Sequence, residues 1–203
     1  MKLVHRQTGF SLVEIAIVVT IIAFLVSAVL GGQALLRSGE TQDLIGMTQD
    51  LSAAAQAFKQ RYHYLPGDFP VDQNNPEIPN VSTACRIGGS GAGNGDGQIS
   101  SAESACATEH LIRADFSRGD PATGFRTRFG TAVRLIAAND ATANVTGFPA
   151  SVLNLVEMAD IPCDRAMDIV RKLDAGGLQT GTRVRASIAA CASGNVPFLA
   201  FAL

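Results

Sequence analysis

From Ile15 to Leu36 the chain runs 22 residues without a charge. At ~1.5 Å of rise per residue, a helix of that length crosses a hydrocarbon layer of ~30 Å. A chain of 203 residues builds one modest domain, or a domain with an appendage, at about 100–200 residues per domain. Lys2, His5 and Arg6 stand before the run. The positive-inside rule keeps that end in the cytoplasm and exports the rest. A cleaved secretory signal peptide is the competing reading, with Val26-Ser27-Ala28 as its small-residue cleavage site. Two features weigh against it. The run is long for a signal core, and Glu14 lies at its start. A carboxylate in a membrane helix costs about 2.5–3.5 kcal/mol at the centre and less near the interface. An ionisable residue kept there is a functional-site hypothesis.

The helical pattern continues past the apolar run. Leu44, Met47, Leu51, Ala54, Ala55, Phe58 and Tyr62 recur at steps of three and four, while Arg37, Glu40, Asp43, Asp50, Lys59 and Arg61 fall on other faces. That spacing predicts an amphipathic helix. Gly31-Gly32 and Gly46 are its weak points, at about 1 kcal/mol each relative to alanine. A continuous helix from Phe10 to Tyr62 is about 80 Å long. A small domain cannot bury such a rod, so its first half lies in lipid or among identical neighbours. Leu65-Pro66-Gly67-Asp68 ends it with a turn signal. Phe69 to Gly97, rich in Pro, Asn and Gly, reads as a structured loop. Ser101 to Phe116 reads as a helix with Leu111, Ile112 and Phe116 on one side. Cys163 to Leu173 reads as another, with Ala166, Ile169, Val170 and Leu173 on one face, stopped by Ala175-Gly176-Gly177. Gly130–Ala138, Val184–Ala190 and Val196–Leu203 read as strands.

Lys and Arg number 16 against 18 Asp and Glu, a net charge of −2. That balance lacks the basic excess of a nucleic-acid binder. With 47% apolar residues, the 20 glycines and 8 prolines do not make the chain disordered. The four cysteines, Cys85, Cys106, Cys163 and Cys191, form no C-x-x-C pair. Their even number in an exported domain suggests two disulfides. Three pairings are open, and the neighbours in order, Cys85–Cys106 and Cys163–Cys191, are favoured over free buried thiols. His5, His63 and His110 do not cluster. Asn144-Val145-Thr146 fits a glycosylation sequon by chance. No phosphate loop stands between a strand and a helix, and no Ser-His-Asp set follows from spacing, so no enzyme is expected.

Ala92 to Glu103 matches most of a calcium loop of the EF-hand type. Asn94, Asp96 and Glu103 supply candidate oxygen ligands, Gln98 a carbonyl, and Gly97 the turn. Ala92 stands at the first ligand position and cannot coordinate. The competing reading is a glycine-rich turn with Asp96 capping its own backbone.

The segment Gly9-Phe10-Ser11-Leu12-Val13-Glu14, behind a basic leader and before an apolar helix, resembles the type IV pilin superfamily, which includes the type II secretion pseudopilins. The resemblance implies cleavage after Gly9 and N-methylation of Phe10 by a membrane prepilin peptidase. The mature chain, Phe10 to Leu203, then has 194 residues, and loss of Lys2 and Arg6 takes the charge from −2 to −4. It implies polymerisation through the helix, with Glu14 paired to the Phe10 amine of the next subunit, driven by an inner-membrane platform and an ATPase. The product is a periplasmic pseudopilus or an extracellular pilus. Gly31 stands where the family often has proline.

Three further stretches, Tyr64-Leu65-Pro66-Gly67-Asp68, Gly95-Asp96-Gly97-Gln98-Ile99 and Glu109-His110-Leu111-Ile112, are similar to pilin-like type II secretion proteins. So are Lys172 to Gly176 and Gly181 to Arg185. This similarity implies an α+β fold, a long N-terminal helix packed on a small antiparallel sheet. The organisation expected is a leader at 1–9, a membrane or filament-core helix at 10–36, its amphipathic continuation at 37–64, and a globular domain at 65–203. The alternatives are a minor or priming pilin, or an anchored periplasmic calcium-binding module that does not polymerise.

Overall fold

The computed structural model describes residues 11–74, 76–174 and 176–203. The chain divides into two units, Met1–Gly39 and Glu40–Leu203. Helix α1 (Leu12–Tyr62) runs through the boundary. In the first unit its described residues are all exposed. In the second its inward stripe, with Leu44, Ile45, Leu51, Ala54, Ala55 and Phe58, is buried. The helix stops without a glycine. His63 takes a left-handed φ of 66° and its N–H bonds Lys59 O at 2.8 Å, the C-terminal cap usually left to Gly.

The second unit is α+β. After α1 come a loop with a 3-10 turn at Thr83–Cys85, helix α2 (Ser101–Arg113), strands β1 (Phe125–Arg126), β2 (Ala132–Ala137) and β3 (Asn154–Pro162), helix α3 (Cys163–Leu173), and strands β4 (Val184–Ala186) and β5 (Asn195–Ala202). The sheet order is β1-β2-β3-β5-β4, antiparallel throughout. One face carries Val156 and Met158 of β3, Leu135 of β2, and Leu199 and Phe201 of β5. These share a core with Leu44, Leu51 and Phe58 of α1 and with Ile169 of α3. Each fully buried side chain of this size contributes about 1.5–3 kcal/mol. The opposite face holds a smaller cluster of Ile136, Val145, Leu155 and Ala200.

Three sequence expectations need correction. The nine-residue β3, at the centre of the sheet, is absent from them. Its first five residues, including Glu157, are all buried, so no polar–apolar alternation advertises the strand. The α2 helix ends at Arg113 and not Phe116, because Asp115 adopts a left-handed φ of 61°. The fourth strand stops at Ala186, since the following chain turns toward Cys191.

Candidate functional site

The first unit presents bare apolar surface. Leu12 is 90%, Ile22 54% and Leu30 62% exposed, and none of the most apolar 18-residue window is buried. Among the described residues this is the one helix long and apolar enough to cross a membrane. Glu14 lies in its first turn, where a carboxylate favours the helix dipole. Among the described residues no ion pair involves Glu14. Thr20, the run's other polar side chain near the start, satisfies its hydroxyl internally on Ile17 O at 2.8 Å. Gly31 and Gly32 continue the helix, and a Cβ on either would meet nothing within 4 Å. The expected cleavage and methylation residues, Gly9 and Phe10, lie outside the described residues, as do the leader residues Lys2, His5 and Arg6 and the helix stop Ala175.

In the second unit the loop expected to bind calcium is organised around an internal carboxylate. Asp68, 1% exposed, accepts N–H bonds from Gly95 at 2.7 Å, Asp96 at 3.0 Å and Gly97 at 2.8 Å. Consecutive amides converging on an anion form a nest. Gly95 and Gly97 reach the required geometry at φ of 78° and 85°. Asn94 and Asp96 each accept the N–H two residues on, at 2.9 and 2.8 Å, and Asn94 Nδ2 donates to Asp96 at 3.1 Å. The Glu103 oxygens accept from Asn94 N–H at 3.0 Å and Ser100 N–H at 2.8 Å. The second bond belongs to a capping box that starts α2. Burial, with Glu103 and Asp96 nearby, holds the Asp68 carboxyl above its ordinary range against the nest amides that lower it. Among the described residues no group of three or more His, Cys, Asp or Glu side chains is disposed to hold a metal ion. Asp96 does cap its own backbone, as the turn reading expects.

The loop is pinned to the helices by a second set of polar contacts. His110 is fully buried. Its Nδ1 accepts the Gly67 N–H at 3.0 Å, and its ring stacks on Phe58 at 6.0 Å between centroids. Burial pulls its pKa down to about 4, so it is neutral in the fold. Glu109 accepts from Ser82 N–H at 2.6 Å and Ser82 Oγ at 2.7 Å. Its Oε2 lies 3.3 Å from Cys85 Sγ, a disulfide sulfur with no proton to give. The disulfides are Cys85–Cys106 and Cys163–Cys191, with Cα separations of 5.4 and 5.8 Å. The first ties the 3-10 turn to α2 and the second ties α3 to the loop before β5. Arg165 of α3 grips Glu40, its Nε at 2.7 Å from Oε2, where α1 enters the unit.

On the outer sheet face Glu157, 1% exposed, pairs with the cross-strand Arg134 at 2.7 Å and accepts from Asn144 N–H at 2.8 Å and Nδ2 at 3.0 Å. The sequon asparagine is therefore committed to holding the β2–β3 connection. His63 and His110 occupy different environments, one exposed and one buried, and do not meet as a metal pair.

The sequence places Asp68 in a turn and Glu109 and His110 on a helix, but it assigns none of them a partner. Their partners lie 27 to 43 residues away, and no local spacing signals such pairings.

Residues 4–30 match the family model of the prokaryotic N-terminal methylation motif. No curated protein and no solved structure matches the chain. The match covers the leader from Val4, with His5 and Arg6, then Gly9, Phe10, Glu14 and the apolar run as far as Leu30.

Proposed function

We propose that the chain is a subunit of a type IV pilus or type II secretion filament, made as a membrane-anchored precursor. The observation that carries this reading is a coincidence at one end of the molecule. The methylation motif lies over the start of α1, where the apolar side chains are uncovered and the one carboxylate, Glu14, makes no ion pair among the described residues. A prepilin peptidase cuts after Gly9 and methylates Phe10. The new terminus carries a positive charge about one helical turn from Glu14.

In an apolar medium both charges need partners. Pairing Glu14 with the Phe10 amine of the next subunit neutralises both and fixes the axial step of the polymer. The helix then passes from lipid to a bundle of its own copies. Both surroundings are apolar, so little hydrophobic free energy separates them. Extraction therefore requires external work from an assembly platform and its ATPase. The leader keeps the N-terminus cytoplasmic and the second unit is exported. The disulfides agree with that compartment.

The test is Glu14→Ala in cells that assemble the native chain. The variant remains exported and membrane-bound but is lost from sheared filaments. Wild-type incorporation of the variant contradicts the charge pairing.

A further inference from the structure

Asn94-Gly95 is the one Asn-Gly pair in the chain, and it sits in the nest around Asp68. Asn94, Gly95 and Asp96 are exposed to water. Glycine is required at 95, where φ is 78° and an added Cβ would lie 3.0 Å from Tyr64 Cε1. With no side chain on the following residue, the amide carbon of an asparagine is open to attack by that residue's backbone nitrogen. The two groups are neighbours in the chain, so proximity favours this acyl transfer. The turn itself does not call for asparagine, since aspartate forms it equally well. What asparagine adds here is a donor. Its Nδ2 gives a bond to Asp96 Oδ2 at 3.1 Å, where aspartate would set two carboxylates side by side.

In the fold both reacting groups are engaged elsewhere. The Gly95 N–H donates to Asp68 Oδ1 at 2.7 Å and to Asp68 O at 3.1 Å. Attack requires that nitrogen to lose its proton, and a carboxylate oxygen 2.7 Å away opposes the anion so formed. The Asn94 side chain is held at both ends, its Oδ1 accepting the Asp96 N–H at 2.9 Å and its Nδ2 donating to Asp96. The Asn94 N–H is held in turn by Glu103 Oε1 at 3.0 Å. Freeing the nitrogen and the amide together means giving up the bonds to Asp68 and Asp96.

We propose that Asn94 is a site of spontaneous deamidation held shut by Asp68, so that its conversion records opening of the nest. When the loop opens, hydroxide takes the Gly95 N–H proton and the nitrogen bonds to Asn94 Cγ. The Cγ–Nδ2 bond breaks, and Nδ2 leaves as ammonia with a proton from water, which restores the hydroxide. Water then opens the succinimide. Breaking the new N–Cγ bond leaves aspartate at position 94, and breaking the bond from nitrogen to the main-chain carbonyl carbon leaves isoaspartate. Only water is consumed, and nothing is oxidised or reduced. Either product works against closure. Aspartate sets a carboxylate against Asp96, and isoaspartate adds a methylene to the backbone just ahead of the Gly95 amide. The change runs one way, and the proposal is independent of the filament reading.

The experiment incubates the full-length chain in detergent at mildly alkaline pH, with and without urea, and follows Asn94 by peptide mass spectrometry. The rate in the fold is the unfolded rate multiplied by the open fraction, so the native chain converts at least ~10-fold more slowly in buffer than in urea. Asp68→Ala, shown to be folded by circular dichroism, converts at least ~10-fold faster in buffer than the native chain. Ile169→Ala, which truncates the core at α3, controls for lost global stability and converts more slowly than Asp68→Ala. Equal native rates in buffer and urea remove the lock, and no conversion in urea removes the site. Asp68→Ala converting at the native rate, or no faster than Ile169→Ala, assigns the lock elsewhere. The comparison of buffer with urea on the native chain decides the matter even where Asp68→Ala fails to fold. Asn94→Asp tests the consequence: its urea midpoint falls below the native one, and an unchanged midpoint contradicts a product that works against closure.

Discussion

Asp68 Oδ2 accepts the Gly97 N–H at 2.8 Å across 29 residues of chain. Its other oxygen takes Gly95 and Asp96. A loop whose amides converge on a carboxylate from outside the loop has its anion built in. Asp68→Ala orphans three N–H groups and lowers the unfolding free energy by about 2–3 kcal/mol, read by urea denaturation of the detergent-solubilised chain. Asp68→Asn keeps one acceptor and turns an amide donor toward donors, so it recovers part of the loss at most. An unchanged midpoint for Asp68→Ala contradicts the nest.

The same contacts make a statement about calcium. Both Glu103 oxygens accept backbone N–H bonds, and Asp96 caps Gln98 N–H. Millimolar calcium therefore leaves the melting temperature where it stands in chelator. A calcium-dependent rise of several degrees would mean that these carboxylates turn from the backbone to a cation.

His110 gives the second unit an acid limit. Its folded pKa of about 4 lies below the ordinary 6.5, so between those values the unfolded chain binds the extra proton. Stability is full above pH 6.5 and falls as pH drops toward 4, by roughly 3 kcal/mol in all. Asp68, raised by burial, acts in the opposite sense. Its contribution is present at low pH and lost as pH rises through its folded value. The His110→Gln variant flattens the slope between pH 6.5 and 4 in urea titrations at a series of pH values. A slope of native steepness in that variant assigns the acid limit elsewhere.

The Cys85–Cys106 bridge closes a loop across 21 residues. Replacing both cysteines with serine costs about 3 kcal/mol. The loss concentrates in the Phe69–Gly97 loop, so hydrogen exchange accelerates there before it does in β3 or β5. Uniform acceleration across the sheet contradicts a local role.

The two kinds of order in this molecule differ in legibility. The later half of α1 is readable because Leu44, Leu51 and Phe58 obey one period and all face one core. Helix α3 is readable to its ends, since Cys163 to Leu173 carries a single apolar face and a stop. Strand β3 is not, because both its faces are covered and Glu157 is buried by Arg134 and Asn144, a pairing that exists only in the folded sheet. The methylation segment was legible as chemistry: a leader, a cut site, one acid and a greasy run follow in fixed order. The nest was legible only as a turn. The glycines of 93–97 announce a bend, and nothing beside them announces Asp68.

The central claim is that the Glu14 carboxylate is neutralised by a neighbour's terminal amine. A high-resolution density map of the assembled filament tests it most directly. The account predicts that mature subunits begin at methylated Phe10, with the amine of one subunit within about 4 Å of the Glu14 oxygens of the next. A map in which Glu14 faces solvent or bare hydrocarbon, with no nitrogen beside it, contradicts the account.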